Sequence, residues 1–317
     1  MKNPDAILTA DWHIRADTPR CRTDDFQAAI WKKVEFIRNL AFKYDIPILL
    51  AGDLGLHSQW PNWLIEKFMA YTGFTEIISI PGQHDLPEHN LKLYKKSAIG
   101  VLNESKFIKL IGILDHDNES SLVHFPFKIN KNLDLFLFPF PYGTRVKDLK
   151  LEDYQWPKKD IKIALTHQMV IKDKPEWPGQ VADSAISLLK KFPNYKLILS
   201  GDNHKPFVVK YNRRILVNPG SMMRTTADQI NHRPRVYLWR AADNKVEAVY
   251  LPIEKGVIDR SHIDNKKQRD ERIGTYVSRL SEQYEIGLSF TKNMENHFNA
   301  NRIRKPVKER IWEACER

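Results

Sequence analysis

Six short apolar runs within the first 221 residues each stop on residues that bind cations or turn the backbone. ILTA runs into Asp11 and His13, ILLA into Gly52 and Asp53, and IISIP into Gly82, Gln83, His84 and Asp85. IALT ends on His167, LILS on Gly201, Asp202, Asn203 and His204, and ILVNP on Gly220 and Ser221. In open α/β sheets the carboxyl ends of the strands share one edge, where ligands bind. Side chains that follow six such strands therefore converge, which a Pro-Gly turn with polar residues in water explains for one run but not for the set.

Between these runs lie helical patterns. Phe26, Ile30, Val34, Ile37, Leu40 and Ala41 recur at helical spacing, predicting a helix over 24–44 capped by Thr23 or Asp24. Further helices are predicted near 62–71 and 181–192, and residues 106–142 read as consecutive strands. Alternating β and α with a strand-rich second half argues for a layered α/β sandwich flanked by helices. From residue 261 the character changes. Ile273, Tyr276, Val277 and Leu280 mark one helix, Val307, Ile311, Trp312 and Cys315 another, with a polar joint between. The expected division is a main domain over 1–260 and a helical appendage over 261–317.

The chain has 317 residues, enough for a large core, and no apolar run near the roughly 20 residues of a membrane span. The start, MKNPDAILTA, is too brief for a signal-peptide core. Cys21 and Cys315 are too few for a disulfide framework, so a reducing cytoplasm is expected and no membrane partner. Net charge is +11, which suits a polyanionic partner. Residues 205–240 hold eight basic side chains against the single acid Asp228.

Asp, His and Gln donors without thiolates suit harder divalent ions such as Mn²⁺, Fe²⁺ or Mg²⁺. Two ions about 3.5–4 Å apart need a shared ligand, for which a carboxylate serves well.

The order Asp-x-His, Gly-Asp, Gly-x-His-Asp, His and Gly-x-x-His resembles the calcineurin-like metallophosphoesterase superfamily. The phrases ADWHIR…R…DF, AGDL and NPGSMMR further resemble its SbcD-type DNA-repair nuclease branch, phage-borne members above all, over residues 5–252. The resemblance implies that Asp11, His13 and His204 hold one metal, that Asp53 bridges, and that Gln83, His167 and Asp202 hold the second. It makes His84 the general acid and Asp85 the residue that steadies it. Gln83 and Asp202 depart from the usual Asn and His, both on the second site, which should therefore be harder and favour Mn²⁺ or Mg²⁺.

The function so implied is two-metal hydrolysis of a phosphodiester, most simply as an exo- or endonuclease in DNA repair, recombination or phage DNA metabolism. Arg224, with Arg213 and Arg214, is expected on the phosphate backbone beside the metals. Trp12 and Trp60 offer either stacking surfaces or core. The same resemblance implies DNA and an SbcC-type coiled-coil ATPase as partners, a second copy of the chain as a further candidate, and the host cytoplasm if the chain is phage-encoded. Alternatives are a phosphatase or cyclic-nucleotide phosphodiesterase, and a non-catalytic DNA-binding subunit with a compromised second site.

Overall fold

The computed structural model describes residues 3–113, 125–128, 134–148, 161–172, 175, 179–283 and 290–315. The chain divides into two compact units, Met1–Asp259 and Arg260–Arg317.

The first unit carries two six-stranded sheets. Its strands are β1 (Ala6–Thr9), β2 (Ile48–Leu50), β3 (Ile77–Ser79), β4 (Lys109–Leu110), β5 (Phe125–Lys128), β6 (Asp134–Phe140), β7 (Ile161–Thr166), β8 (Val170–Ile171), β9 (Asp183–Ser184), β10 (Leu197–Ser200), β11 (Phe207–Tyr211), β12 (Arg214–Asn218), β13 (Arg235–Arg240) and β14 (Lys245–Tyr250). One sheet has the order β14-β13-β1-β2-β3-β4, the other β11-β12-β10-β7-β6-β5, and β8 pairs with β9 apart from both. Strands β1 to β4 run parallel, as do β12, β10, β7 and β6. The stretches that link β4, β5 and β6 lie outside the described residues.

Strand periodicity sorts the apolar side chains into three layers. Ala6 and Leu8 of β1, with Leu49 and Ile78, meet Leu137, Ile163, Leu165, Leu199 and Val217 of the other sheet. The alternate residues Ile7, Ile48, Leu50 and Ile77 face outward and are covered by α1 (Phe26–Tyr44), α2 (Asn62–Thr72) and α3 (Ala98–Glu104). Phe138, Ala164, Ile198 and Leu216 face the other way and are covered by α4 (Ala185–Lys191). The order is helix, sheet, sheet, helix. Both faces of each parallel core are thus buried, as βαβ connections require.

Helix α1 starts two residues later than the periodicity suggests. Its cap is Asp25, whose carboxylate accepts the Ala28 amide at 2.9 Å, rather than Thr23 or Asp24. Asp24 is instead paired with the guanidinium of Arg22. Lys33 sits on the buried face of this helix, 2% exposed, with Nζ 3.2 Å from Met223 Sδ. The fourth helix begins at Ala185 because Asp183 and Ser184 pair with β8. Trp12 and Trp60 are core residues, Trp12 donating its indole N–H to Thr9 Oγ1 at 2.8 Å.

The second unit holds α5 (Ser261–Gln283), α6 (Phe290–Ala300) and α7 (Lys305–Cys315). Helix α6 lies where the sequence suggests a polar joint. Its Phe298 is buried and meets the Trp312 ring edge-on at 5.9 Å. Among the described residues no helix is long and apolar enough to cross a membrane.

Candidate metal centre

Parallel pairing of β1, β2 and β3 in one sheet, and of β7, β10 and β12 in the other, brings the polar run ends to one edge of the sandwich. Each turn leaves its strand abruptly. Asp11, His13, Asp53 and Asp202 have φ of 51°, 47°, 52° and 75°, a left-handed backbone that side-chain-bearing residues seldom adopt. Two glycines make the closeness achievable. A Cβ on Gly52, itself at φ 83°, would lie 2.5 Å from His167 Nδ1. A Cβ on Gly82 would strike the Asp53 carboxylate.

The donor atoms gather tightly. Asp11, His13 and His204 each offer one donor atom within 4.8 Å of the others, and so do Asp11, Asp53 and His167. His13 Nε2 stands 3.0 Å from His204 Nε2 and 3.9 Å from Asp53 Oδ2, which is 3.3 Å from His167 Nε2. Asp53 thus lies between a histidine of each group, where a shared ligand would sit.

Asp11 Oδ2, Asp53 Oδ2 and His167 Nε2 are buried with no hydrogen-bond partner. Buried polar atoms are nearly always satisfied, so three orphans within one cluster are what the ligands of a divalent cation would leave. The second contacts of these side chains fix their aim. His167 Nδ1 donates to Ala51 O at 2.7 Å, which turns Nε2 towards Asp53. Asp11 Oδ1 accepts the Asp202 amide at 3.1 Å, and Asp53 Oδ1 the His84 amide at 2.9 Å.

Titration follows from burial and crowding. Burial pushes His13 down to about 3, Asp53 pulling the other way, so the imidazole is neutral as a ligand must be. His204 is pushed down as well, again by burial first. Burial alone would raise Asp53, yet the positive field of His167 holds its carboxyl well below the usual range. Burial opposes a charge on His167, and Asp53 overrides it, lifting the imidazole to about 10. Burial, helped by Asp53, lifts Asp11 well above the carboxylate range against the pull of His167. Asp53 therefore favours a positive charge beside it, which His167 carries here.

Gln83 and Asp202 meet each other at this edge. Gln83 Nε2 donates to Asp202 Oδ1 at 3.3 Å, and both side chains are half-buried. His84 is half-buried, its ring 5.2 Å from that of His13, and it offers a donor atom to His13 and Asp53. Asp85 does not reach the imidazole that it was expected to steady. Its Oδ1 accepts the Gly55 amide at 2.9 Å, and its Oδ2 the Gly82 and Leu54 amides at 2.9 and 3.3 Å. It ties the loop after β2 to the loop after β3. Burial and then Asp53 push its carboxyl up to about 7, against the Gly55 and Gly82 amides.

The expected arginines stand elsewhere. Arg224 is 5% exposed, donating from Nη2 to Glu254 O at 2.7 Å and from Nη1 to Ile230 O at 3.4 Å, so it braces the chain instead of facing a phosphate. Arg213 and Arg214 lie at the opposite edge of the sandwich. Arg214 opens β12, whose Ile215 pairs with Leu197 at the start of β10, and Asp202 and His204 follow the far end of β10. At about 3.3 Å per strand residue the separation is roughly 15 Å. Sequence reasoning also missed a cavity of about 330 Å³ beside His167 and Asp202, walled by Tyr142, Arg145, Met169 and Asp183. Its walls come from loops whose apolar and charged residues form no pattern along the chain.

No curated protein matches the sequence. Among solved structures, an archaeal phosphodiesterase is similar at 10% identity, with 78% of this chain and 99% of that chain covered and a TM-score of 0.40. A Thermus thermophilus protein shares 13% identity at a TM-score of 0.46, covering 78% and 98% of the two chains. A putative 5'-nucleotidase from Staphylococcus aureus shares 14% identity at 0.47, covering 84% of this chain and 58% of that one. The calcineurin-like phosphoesterase signature matches residues 6–206, the span that contains every donor described above. The chain thus belongs to the calcineurin-like phosphoesterase family, and is a metal-dependent phosphoester hydrolase.

Proposed function

We propose that this phosphoesterase is a DNA nuclease of the SbcD-type branch that works with two divalent ions, Mn²⁺ foremost. The observation that carries the two-ion reading is the trio of orphaned buried atoms on Asp11, Asp53 and His167, with the His13 and His204 nitrogens alongside. Two such ions supply Lewis-acid polarisation and neutralise charge on a phosphodiester. Asp11, His13 and His204 hold one, Asp53 is shared, and His167 with Gln83 and Asp202 holds the other. The Gln83–Asp202 pair adds oxygen donors, which favours Mn²⁺ or Mg²⁺ over a softer ion. His84 gives a proton to the departing sugar oxygen, and the loop tied by Asp85 keeps it in reach.

Nucleic acid as substrate is supported by the net charge of +11 and by the NPGSMMR and ADWHIR phrases. The site of action on this reading is the cytoplasm, of the host if the gene is a phage's. The second unit is a candidate docking element for an SbcC-type coiled-coil ATPase. Ile273, Tyr276, Phe290 and Val307 leave half or so of their apolar surface in water, more than a helical unit needs for itself. A second copy of the chain is the competing occupant. Ending the chain near Ile263 separates a docking element from a part of the fold. A docking element leaves Mn²⁺-dependent cleavage intact on removal, and loss of soluble protein assigns the helices to the core.

The deciding experiment incubates pure protein with Mn²⁺ and end-labelled single- and double-stranded DNA. Chelator-sensitive shortening of the label supports the nuclease. Hydrolysis of a small chromogenic diester with DNA left intact rejects it in favour of a small-molecule phosphodiesterase.

A further inference from the structure

We infer that the protein has a second nucleic-acid contact, a basic groove on the edge of the sandwich opposite the metal centre. The groove, of about 650 Å³, lies between the β11–β12 turn and the β13–β14 turn. Both turns are held rigidly. Asn244 is 7% exposed at φ 50°, and its Nδ2 donates to Lys196 O at 2.8 Å and to Arg213 O at 2.9 Å. Its Oδ1 accepts the Trp239 indole at 2.9 Å. One buried amide thus joins the ends of both sheets and fixes the groove's width.

The charge on the walls is one-sided. Lys196, Lys210, Arg213, Arg214 and Lys245 line the groove against a single acid, Asp243. Lys196 is spent on Ala241 O at 3.0 Å, Arg214 on Leu189 O, and Asp243 on Arg240 and Lys245. Lys210 and Arg213 remain, both exposed and without a counter-charge among the described residues. Lys190 adds a further cation beside them, over the Tyr211 ring at 5.6 Å. Cations left unpaired on a preformed wall attract phosphates, and each neutralised phosphate releases counterions.

An extended phosphodiester fits better than a compact anion, because the cations are spread over the start of β10, the β11–β12 turn and the β13–β14 turn. The inference rests on the proposed nuclease reading for the identity of the polyanion. About 15 Å of separation corresponds to roughly four to five base pairs at a rise near 3.4 Å. A duplex long enough to engage both edges gains contacts that a fragment confined to the metals lacks. The groove is then a handle that holds long substrate without touching the reaction.

The test is Lys210→Glu with Arg213→Glu, two exposed positions outside the metal centre. Binding is measured in EDTA, against salt, for a duplex of about 30 base pairs and for a dinucleotide, which is too short to reach both edges. For the long duplex the log–log salt slope should fall by roughly 0.9 per lost phosphate contact, and affinity near 0.1 M salt by at least about 5-fold. Dinucleotide binding and Mn²⁺-dependent hydrolysis of a small diester should not change, which also shows that the variant is folded. An unchanged slope for the long duplex overturns the proposal. So does tighter, equally variant-sensitive binding of polyglutamate, which would assign the groove to an acidic protein. If the unaltered protein hydrolyses no diester, the nuclease reading fails, while the salt slope still judges the groove.

Discussion

His13 Nε2 and His204 Nε2 lie 3.0 Å apart although 191 residues separate them along the chain. Two imidazoles at right angles on one ion, each roughly 2.1 Å from it, would stand about this far apart. The fold therefore holds the pair at ligand spacing, one from each sheet.

Asp53→Asn tests the shared position. The amide keeps an acceptor for the His84 N–H but loses the charge between His13 and His167. Calorimetric titration with Mn²⁺ should show both binding events weakened by at least about 100-fold, beyond the 10–100-fold of an outer partner. Loss of one event alone would confine Asp53 to one ion.

His84→Ala should lower turnover by at least about 100-fold, the scale of general acid catalysis, while both ions still bind. Its ring is half-buried and open to substrate, unlike that of His167. Full turnover in the variant removes His84 from the chemistry. Loss of bound Mn²⁺ instead makes it a ligand, a role that its reach to His13 and Asp53 permits.

Asp85→Ala should destabilise the fold as well as the reaction. Three backbone amides lose their acceptor in a buried place, at about 1 kcal/mol or more each. Thermal unfolding should shift down by about 6–12 °C. A melting point within about 2 °C of wild type would show that the loops hold each other without this carboxylate.

Lys33 gives the protein a stability that depends on alkaline pH. Burial, with Arg22 and Arg224 nearby, pushes its ammonium down to about 7. The unfolded chain keeps that proton up to about 10.4, so between these values unfolding takes up a proton. The Lys33 contribution therefore rises with pH from about 7 to about 10. Below about 7 the lysine is charged in both states and its penalty is complete. Lys33→Met should be more stable than wild type near pH 6, by an amount on the order of 4–5 kcal/mol, and the difference should shrink towards pH 10. A difference that does not change with pH would place the charge in water.

The convergence of the candidate donors was legible because strand direction and periodicity alone bring them together, whereas their division between two ions came from the family resemblance. Each follows a parallel strand directly, so nothing has to be known of the packing beyond the shared edge. The basic residues were misread for the complementary reason. Arg213 is nine positions from His204, and β11 carries the chain away from the metals before β12 returns, so nearness in sequence becomes opposition in space. Asp85 looked like a partner of its neighbour His84, whereas its acceptors were claimed by amides of Leu54 and Gly55, a long-range choice that no local pattern records. Lys33 could have been found. It sits three residues after Ile30 and four before Ile37, on the apolar stripe itself, where a lysine is out of place. Helix α6 escaped because Phe298 stands among polar residues and finds its cover in Trp312 of the next helix.

Asp11, His13, Asp53 and Asp202 share a left-handed backbone that costs of order 1–3 kcal/mol at each. A mutant library screened only for heat resistance should drift to glycine or asparagine at these four codons, because either relaxes the chain there. A library screened for turnover should hold all four against that drift. The same positions thus record which of the two demands a lineage has answered to.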